Sequence, residues 1–281
     1  MEQAPGIAGR RRTAGRCLAL LLGVTLAACA TPGERFDRRA AALGLQSTRL
    51  PGEAFEHRAW FADTPPGAAT LHVYVEHDGT PWARIDRVSE DPTPRTPFAL
   101  ELMAKDSGPR LLLGRPCHFE PRADPACDPL VWTQRRYSQD VVASMVAALR
   151  GFLSAHPHRD VVLIGYSGGG TLAWLMAARI PETTGVVTIA ANLDVDAWTR
   201  LHDYSPLSGS LNPASAPPLA PAIDQRHYVG GRDDNVPPSV VKSFARRHPG
   251  ARVIEIAEFD HVCCWIERWP ELLAGMGSAA R

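Results

Sequence analysis

The chain has no surplus of charge of either sign: 30 lysines and arginines stand against 30 aspartates and glutamates in 281 residues. Without a basic field nothing would hold a nucleic-acid backbone, so no nucleic-acid partner is expected. Nor is there an apolar run that could span a bilayer, since the segment from Cys17 to Ala28 is twelve residues long and a spanning helix needs roughly 20. Metal-ligand spacing is missing around His77 and Asp78 too. His77 and Asp78 are adjacent, but no histidine or carboxylate follows at a ligand interval, so they read as polar groups of a loop, and neither metal nor other cofactor is implied. No long amphipathic insertion is present, which disfavours a lipase with a large mobile lid.

The apolar segment is preceded by Arg10, Arg11, Arg12 and Arg16 and closed by Leu26-Ala27-Ala28-Cys29. A basic start, a short apolar stretch and small residues at its end make residues 1–28 an export signal, to be set aside from the fold. Removing them leaves 253 residues with 26 basic against 29 acidic side chains, enough for one substantial core. Leu-Ala-Ala-Cys resembles the lipobox of bacterial lipoproteins. That resemblance implies a lipid on Cys29, which would become the first residue of the mature chain, and a place in the bacterial cell envelope, on the periplasmic face of the outer membrane, with the membrane as partner through the N-terminal anchor. A plain secretory signal with Cys29 near its cleavage point is the alternative.

Residues 29–66 are polar, arginine-rich and interrupted by Pro32, Pro51, Pro65 and Pro66, and are expected to be a tether followed by a loosely packed entry segment. Within it, Arg35 to Gly44 can form a short amphipathic helix ended by the glycine. Residues 67–281 are expected to form the main domain.

The organising stretch of that domain is Asp160 to Arg179. Val161 to Ile164 is a β-branched apolar run that stops at a glycine cluster and is followed by strong helix formers, a strand, sharp turn and helix. Gly165 and Gly169 flank Ser167 at minus two and plus two, the spacing of a nucleophile elbow, in which a tight turn lifts the serine oxygen clear of the sheet. The Gly168 amide, at the start of the helix, would face the space in front of Ser167 as half of an oxyanion hole.

Other strands follow the same logic. Thr70 to Glu76 alternates and is β-branched, a strand, and His77-Asp78-Gly79 begins the turn after it. Phe98 to Lys105 suits a helix, Arg110 to Gly114 a strand, and Arg136 to Ala155 a helix with Ser138 as its cap. Gly185 to Ala190, Arg226 to Gly230 and Val253 to Phe259 are further strands, and Trp265 to Leu273 a closing helix. Strand, helix, strand in repetition implies a mostly parallel sheet with helices on both faces. Residues 195–223, with little periodicity and many prolines, are expected to form a small cap, in which Trp198 and Tyr204, with Trp132 from an earlier loop, either line an acyl pocket or pack as core.

Asp233 and His261 each follow a late strand, as Ser167 follows an earlier one, which gives the chain order Ser, Asp, His. A serine hydroxyl needs a base to take its proton; His261 would do so and Asp233 would orient the imidazole, with Asp234 or Asp194 as other candidates for the acid. Cys117 and Cys127, in one proline-rich loop of an exported chain, read as a disulfide, with a zinc site including His118 as the rival. Cys263 and Cys264, beside His261, either pair with each other or simply pack.

Through Gly-Tyr-Ser-Gly-Gly, Gly-Gly-Arg-Asp-Asp-Asn-Val-Pro and Phe-Asp-His the chain resembles the α/β hydrolases over residues 67 to 275. Through Tyr-Val-Glu-His-Asp-Gly-Thr-Pro-Trp, Gly-Arg-Pro-Cys, Ala-Asn-Leu-Asp and Ser-Leu-Asn-Pro it resembles a group of bacterial lipoproteins of that fold. The resemblance implies the α/β-hydrolase fold, a Ser167, Asp233, His261 triad, and a second oxyanion amide from the loop after the Thr70 to Glu76 strand, Asp78 first and Gly79 next. The expected function is that of an envelope-anchored serine hydrolase, carboxylesterase-like, cleaving an ester or related acyl bond of a small-molecule substrate. Amide cleavage, or a fold kept for binding after catalysis was lost, are the competing readings; His77, where the lipoprotein pattern would have glycine, is the feature that favours the last.

Overall fold

The computed structural model describes residues 30–62, 70–121 and 124–277. The export signal and Cys29 lie outside the described residues. An eight-stranded sheet runs in the order β1-β2-β6-β3-β7-β8-β9-β10, where β1 is Gln46–Pro51, β2 Glu56–Phe61, β3 Thr70–Val75, β6 Arg110–Leu113, β7 Asp160–Tyr166, β8 Thr183–Ile189, β9 Asp224–Gly230 and β10 Ala251–Ile256. Every pairing from β6 to β10 is parallel; β1 with β2, and β2 with β6, are antiparallel. A separate two-stranded hairpin, β4 (Trp82–Arg84) and β5 (Arg87–Val88), stands off the sheet.

Alternation along the strands builds two cores, as a sheet covered on both faces requires. On one face Val73, Val75, Leu163 and Val186 meet helices α3 (Gln139–Ala155), α4 (Gly168–Ala177) and α6 (Pro238–Ala245). On the other, Tyr74, Leu112, Ile164 and Val187 meet α1 (Pro32–Ala42), α2 (Phe98–Met103) and α7 (Trp265–Gly277). Ser138 caps α3, its hydroxyl accepting from the Val141 amide, as its position before the apolar repeat predicts. Among the described residues, no helix is long and apolar enough to cross a membrane.

The entry segment departs from its expected character. Residues 32–61 are not a loose approach to the domain; they supply one helix and two strands of it. Thr31 and Glu34 form a reciprocal capping box on α1, and Phe36 and Ala40 are buried. The Phe36 ring lies 4.7 Å from both Trp60 of β2 and Phe119, an aromatic cluster that fastens α1 to the sheet. The strands escaped sequence reading because β1 is an edge strand with a largely exposed polar face, and Arg49 of β1 and Arg58 of β2 both pair with Glu120 of a distant loop.

Residues 195–223 hold α5 (Val195–Leu201) and an irregular connection. Backbone bonds from Leu211 to Tyr137 and from Ala214 to Leu193 fasten the connection to the body.

Candidate active site

Ser167 joins β7 to α4 with φ at +52°, a backbone region that non-glycine residues rarely occupy and that is held here by the bond from its amide to the Ile189 carbonyl, 2.9 Å. The flanking glycines are needed for contact rather than for flexibility. A Cβ on Gly165 would strike the Gly169 backbone, and one on Gly169 would strike the carbonyls of Val75 and Glu76. Gly168 is the first residue of α4, where a backbone N–H has no acceptor within the helix.

His261 arrives on the loop after β10. Its Nδ1 lies 2.8 Å from Asp233 Oδ2, and the other carboxylate oxygen accepts from the amides of Asn235, 3.0 Å, and Val236, 2.7 Å. Asp233 is fully buried, whereas Asp234 is exposed. The carboxylate therefore fixes the ring with Nδ1 protonated and leaves Nε2 for the cavity. Asp194 stands elsewhere: it caps α5 through the Ala197 amide and accepts from the Ser243 hydroxyl, 2.6 Å. The Tyr166 hydroxyl, one residue before Ser167, donates to the His261 carbonyl, 2.9 Å.

Ser167 and His261 open into one cavity of about 380 Å³, whose wall includes Arg136, Asn192, Trp198 and Val236. Of the three aromatic candidates for an acyl pocket only Trp198 lines it. Trp132 is buried with its indole N–H on the Ser89 carbonyl, and Tyr204 is more than half exposed, stacked on His202.

The loop after β3 is built differently from the sequence expectation. His77 does not crowd it: Nδ1 accepts from the Gly79 amide, 3.0 Å, and Nε2 donates to the Thr96 carbonyl, 3.0 Å, so the ring closes the turn. The Gly79 N–H is thereby committed inside the loop, which removes it as an oxyanion donor. Asp78 contributes its side chain to the wall. Its carboxylate accepts from Arg115 Nη1, 2.5 Å, Arg136 Nη1, 2.9 Å, and the Tyr137 hydroxyl, 2.7 Å, all three buried. Burial would raise this carboxyl, but the two guanidinium groups outweigh it and hold Asp78 well below the ordinary carboxylate range. A Cβ on Gly168 would strike the same carboxylate and the Tyr137 hydroxyl, which shows how closely the cluster backs the helix start.

Cys117 is joined to Cys127, and Cys263 to Cys264. His118 instead contacts the Pro116 carbonyl, at 2.9 Å. Among the described residues, no group of three or more histidine, cysteine or acidic side chains is arranged to hold a metal ion.

With the elbow, the acid and the histidine each on a strand terminus of a mostly parallel sheet, known proteins supply the comparison. A family model described as alpha/beta hydrolase fold matches residues 120–207, the part that contains Ser167. The chain has the α/β-hydrolase fold. An esterase from Pyrococcus furiosus superposes with a TM-score of 0.56 at 13% identity, over 84% of this chain and 90% of the esterase. An alpha-beta serine hydrolase homologue from Coxiella burnetii gives 0.56 at 14% identity, over 84% and 97%. The acylaminoacyl peptidase of Pyrococcus horikoshii gives 0.55 at 12% identity, over 83% of this chain and 41% of the peptidase. No curated protein sequence matches the chain. As an α/β-hydrolase-fold protein it places Ser167 after the fifth strand of the main sheet in chain order, Asp233 after the seventh and His261 after the eighth.

Arg115, Arg136 and Tyr137 are the site residues that sequence reasoning did not single out. Their one signal is proximity to the disulfide loop and the start of α3; charge pairing across 37 and 58 residues has no periodic trace.

Proposed function

We propose that the protein is a serine hydrolase that cleaves an ester or related acyl bond through an acyl-enzyme. The observation that carries this reading is the 2.8 Å contact of His261 Nδ1 with the buried Asp233 carboxylate, with the rest of the ring and Ser167 in the wall of one cavity. His261 Nε2 takes the Ser167 proton as Oγ bonds to the acyl carbon, and the imidazolium that results returns that proton to the departing alcohol. Water then repeats the sequence: it gives its proton to His261, adds to the acyl carbon and releases the acid and Ser167. The Gly168 and Asp78 amides are the donors for the oxyanion formed in both halves.

A fluorophosphonate probe tests the reading. The wild-type protein should be labelled and Ser167→Ala should not, while folding equally; absence of labelling in a folded wild type would sink it.

The envelope location is a proposal of its own, supported by the Leu26-Ala27-Ala28-Cys29 sequence after a basic and apolar start. Lipidation of Cys29 would tether the domain to the membrane. Cys29→Ser should move the protein out of the membrane fraction; unchanged partitioning would refute the anchor without touching the hydrolase reading.

A further inference from the structure

We propose that the cavity beside Ser167 recognises substrates whose acyl part ends in a carboxylate, with Arg136 and Asn192 as the residues that bind that group. The position of the scissile bond in this proposal rests on the serine-hydrolase reading; the anion site does not.

Asn192 follows β8 and lines the cavity with 3% of its surface exposed. Its backbone carbonyl accepts from Thr171, 2.6 Å, which fixes the residue, yet neither the amide oxygen nor the amide nitrogen of its side chain has a hydrogen-bond partner among the described residues. A buried amide with both ends idle carries a desolvation cost that a bound ligand would relieve.

Arg136 presents a similar imbalance. Its Nε donates to the Thr133 carbonyl, 2.6 Å, and Nη1 to Asp78, 2.9 Å, the same carboxylate that Arg115 Nη1 occupies. Together Arg115 and Arg136 face the single carboxylate of Asp78, so these three side chains hold one positive charge in excess; Arg115 Nη2 donates to the Arg136 carbonyl, 3.3 Å, and its buried Nε has no hydrogen-bond partner among the described residues. Neither Asp233 nor Glu76 balances the charge. Asp233 is engaged by His261, and Glu76, 3.8 Å behind His77, is pushed by burial toward its neutral form. An uncompensated buried charge is costly, and an anion entering the cavity would meet it at low dielectric.

The rest of the wall suits the spacer. Phe98, Trp198, Val236 and Val262 are apolar, and about 380 Å³ accommodates a short methylene chain between the scissile carbonyl and a distal carboxylate.

The test compares p-nitrophenyl monoglutarate with its neutral counterpart, in which the distal carboxyl is a methyl ester. Wild-type protein should favour the anion in kcat/KM by at least about tenfold, the scale of a hydrogen bond to a charged group. In Arg136→Gln and in Asn192→Leu the ratio should fall to within about threefold. Equal use of both esters by the wild type, or a preference that survives both substitutions, would overturn the proposal. Calorimetric titration of Ser167→Ala with monomethyl glutarate and dimethyl glutarate separates the two readings, because binding needs no turnover. Preferential binding of the anion without any ester hydrolysis removes the hydrolase reading and keeps the site; hydrolysis without discrimination removes the site and keeps the hydrolase.

Discussion

Asp233 divides its carboxylate between two tasks: Oδ2 holds His261 Nδ1 at 2.8 Å while Oδ1 closes its own turn on the amides of Asn235 and Val236. Acid and turn are thus one unit, and the histidine is oriented by an atom that the backbone has already fixed.

Replacing the acid should expose that division. Asp233→Asn retains an oxygen for the turn but places an amide against the ring, favouring the wrong tautomer, and kcat/KM should fall by about 10³-fold or more. Asp234→Asn, at an exposed position, should stay within about threefold of wild type. Ester kinetics on the two variants decide between the neighbours, and a reversed order would reassign the acid.

The Asp78 cluster should behave as a buried ion network. Asp78→Asn leaves the largely buried guanidinium groups of Arg115 and Arg136 without their counter-charge, at a cost of about 3–5 kcal/mol. Urea unfolding measures it; a loss below about 1 kcal/mol would mean that the guanidinium groups find other partners.

Stability should decline toward acid through histidines that are buried neutral. Burial lowers His57 to about 4, and His118 and His227 to about 3, against 6.5 in the open chain. Because the unfolded state binds these protons first, the stabilisation is complete above pH 6.5 and is lost as the pH falls through 6.5 toward 4 and 3. Each unit of lowering is worth about 1.4 kcal/mol per histidine, so thermal unfolding at pH 5 should occur well below that at pH 7.5. His57→Gln, which keeps a polar side chain opposite Gly114 and Ser144, should flatten the dependence. An unaltered slope would show that carboxylates dominate the acid limb.

The first helix should prove integral to the domain. Phe36→Ala removes a ring 2% exposed from its contacts with Trp60 and Phe119 and should cost about 3 kcal/mol. Thermal or denaturant unfolding would reveal a detachable entry segment as a change close to zero.

The legible parts of this chain are those in which local pattern and global role coincide. β7, the glycine cluster and α4 announce the elbow because strand period, tight turn and helix formers follow one another without interruption, and β3, β8 and α3 are similarly self-declaring. Elements whose reason lies far away in the chain were not readable. β1 and β2 carry arginines because Glu120 is opposite, and Asp78, expected to offer only its amide, is the hub for two arginines and a tyrosine from another segment. Burial of such charges depends on partners that only the folded topology supplies.

The Tyr166 hydroxyl on the His261 carbonyl joins the residue before the elbow serine to the loop that carries the histidine. One phenol bolts the end of β7 to the loop after β10, so that a displacement of the one loads the other.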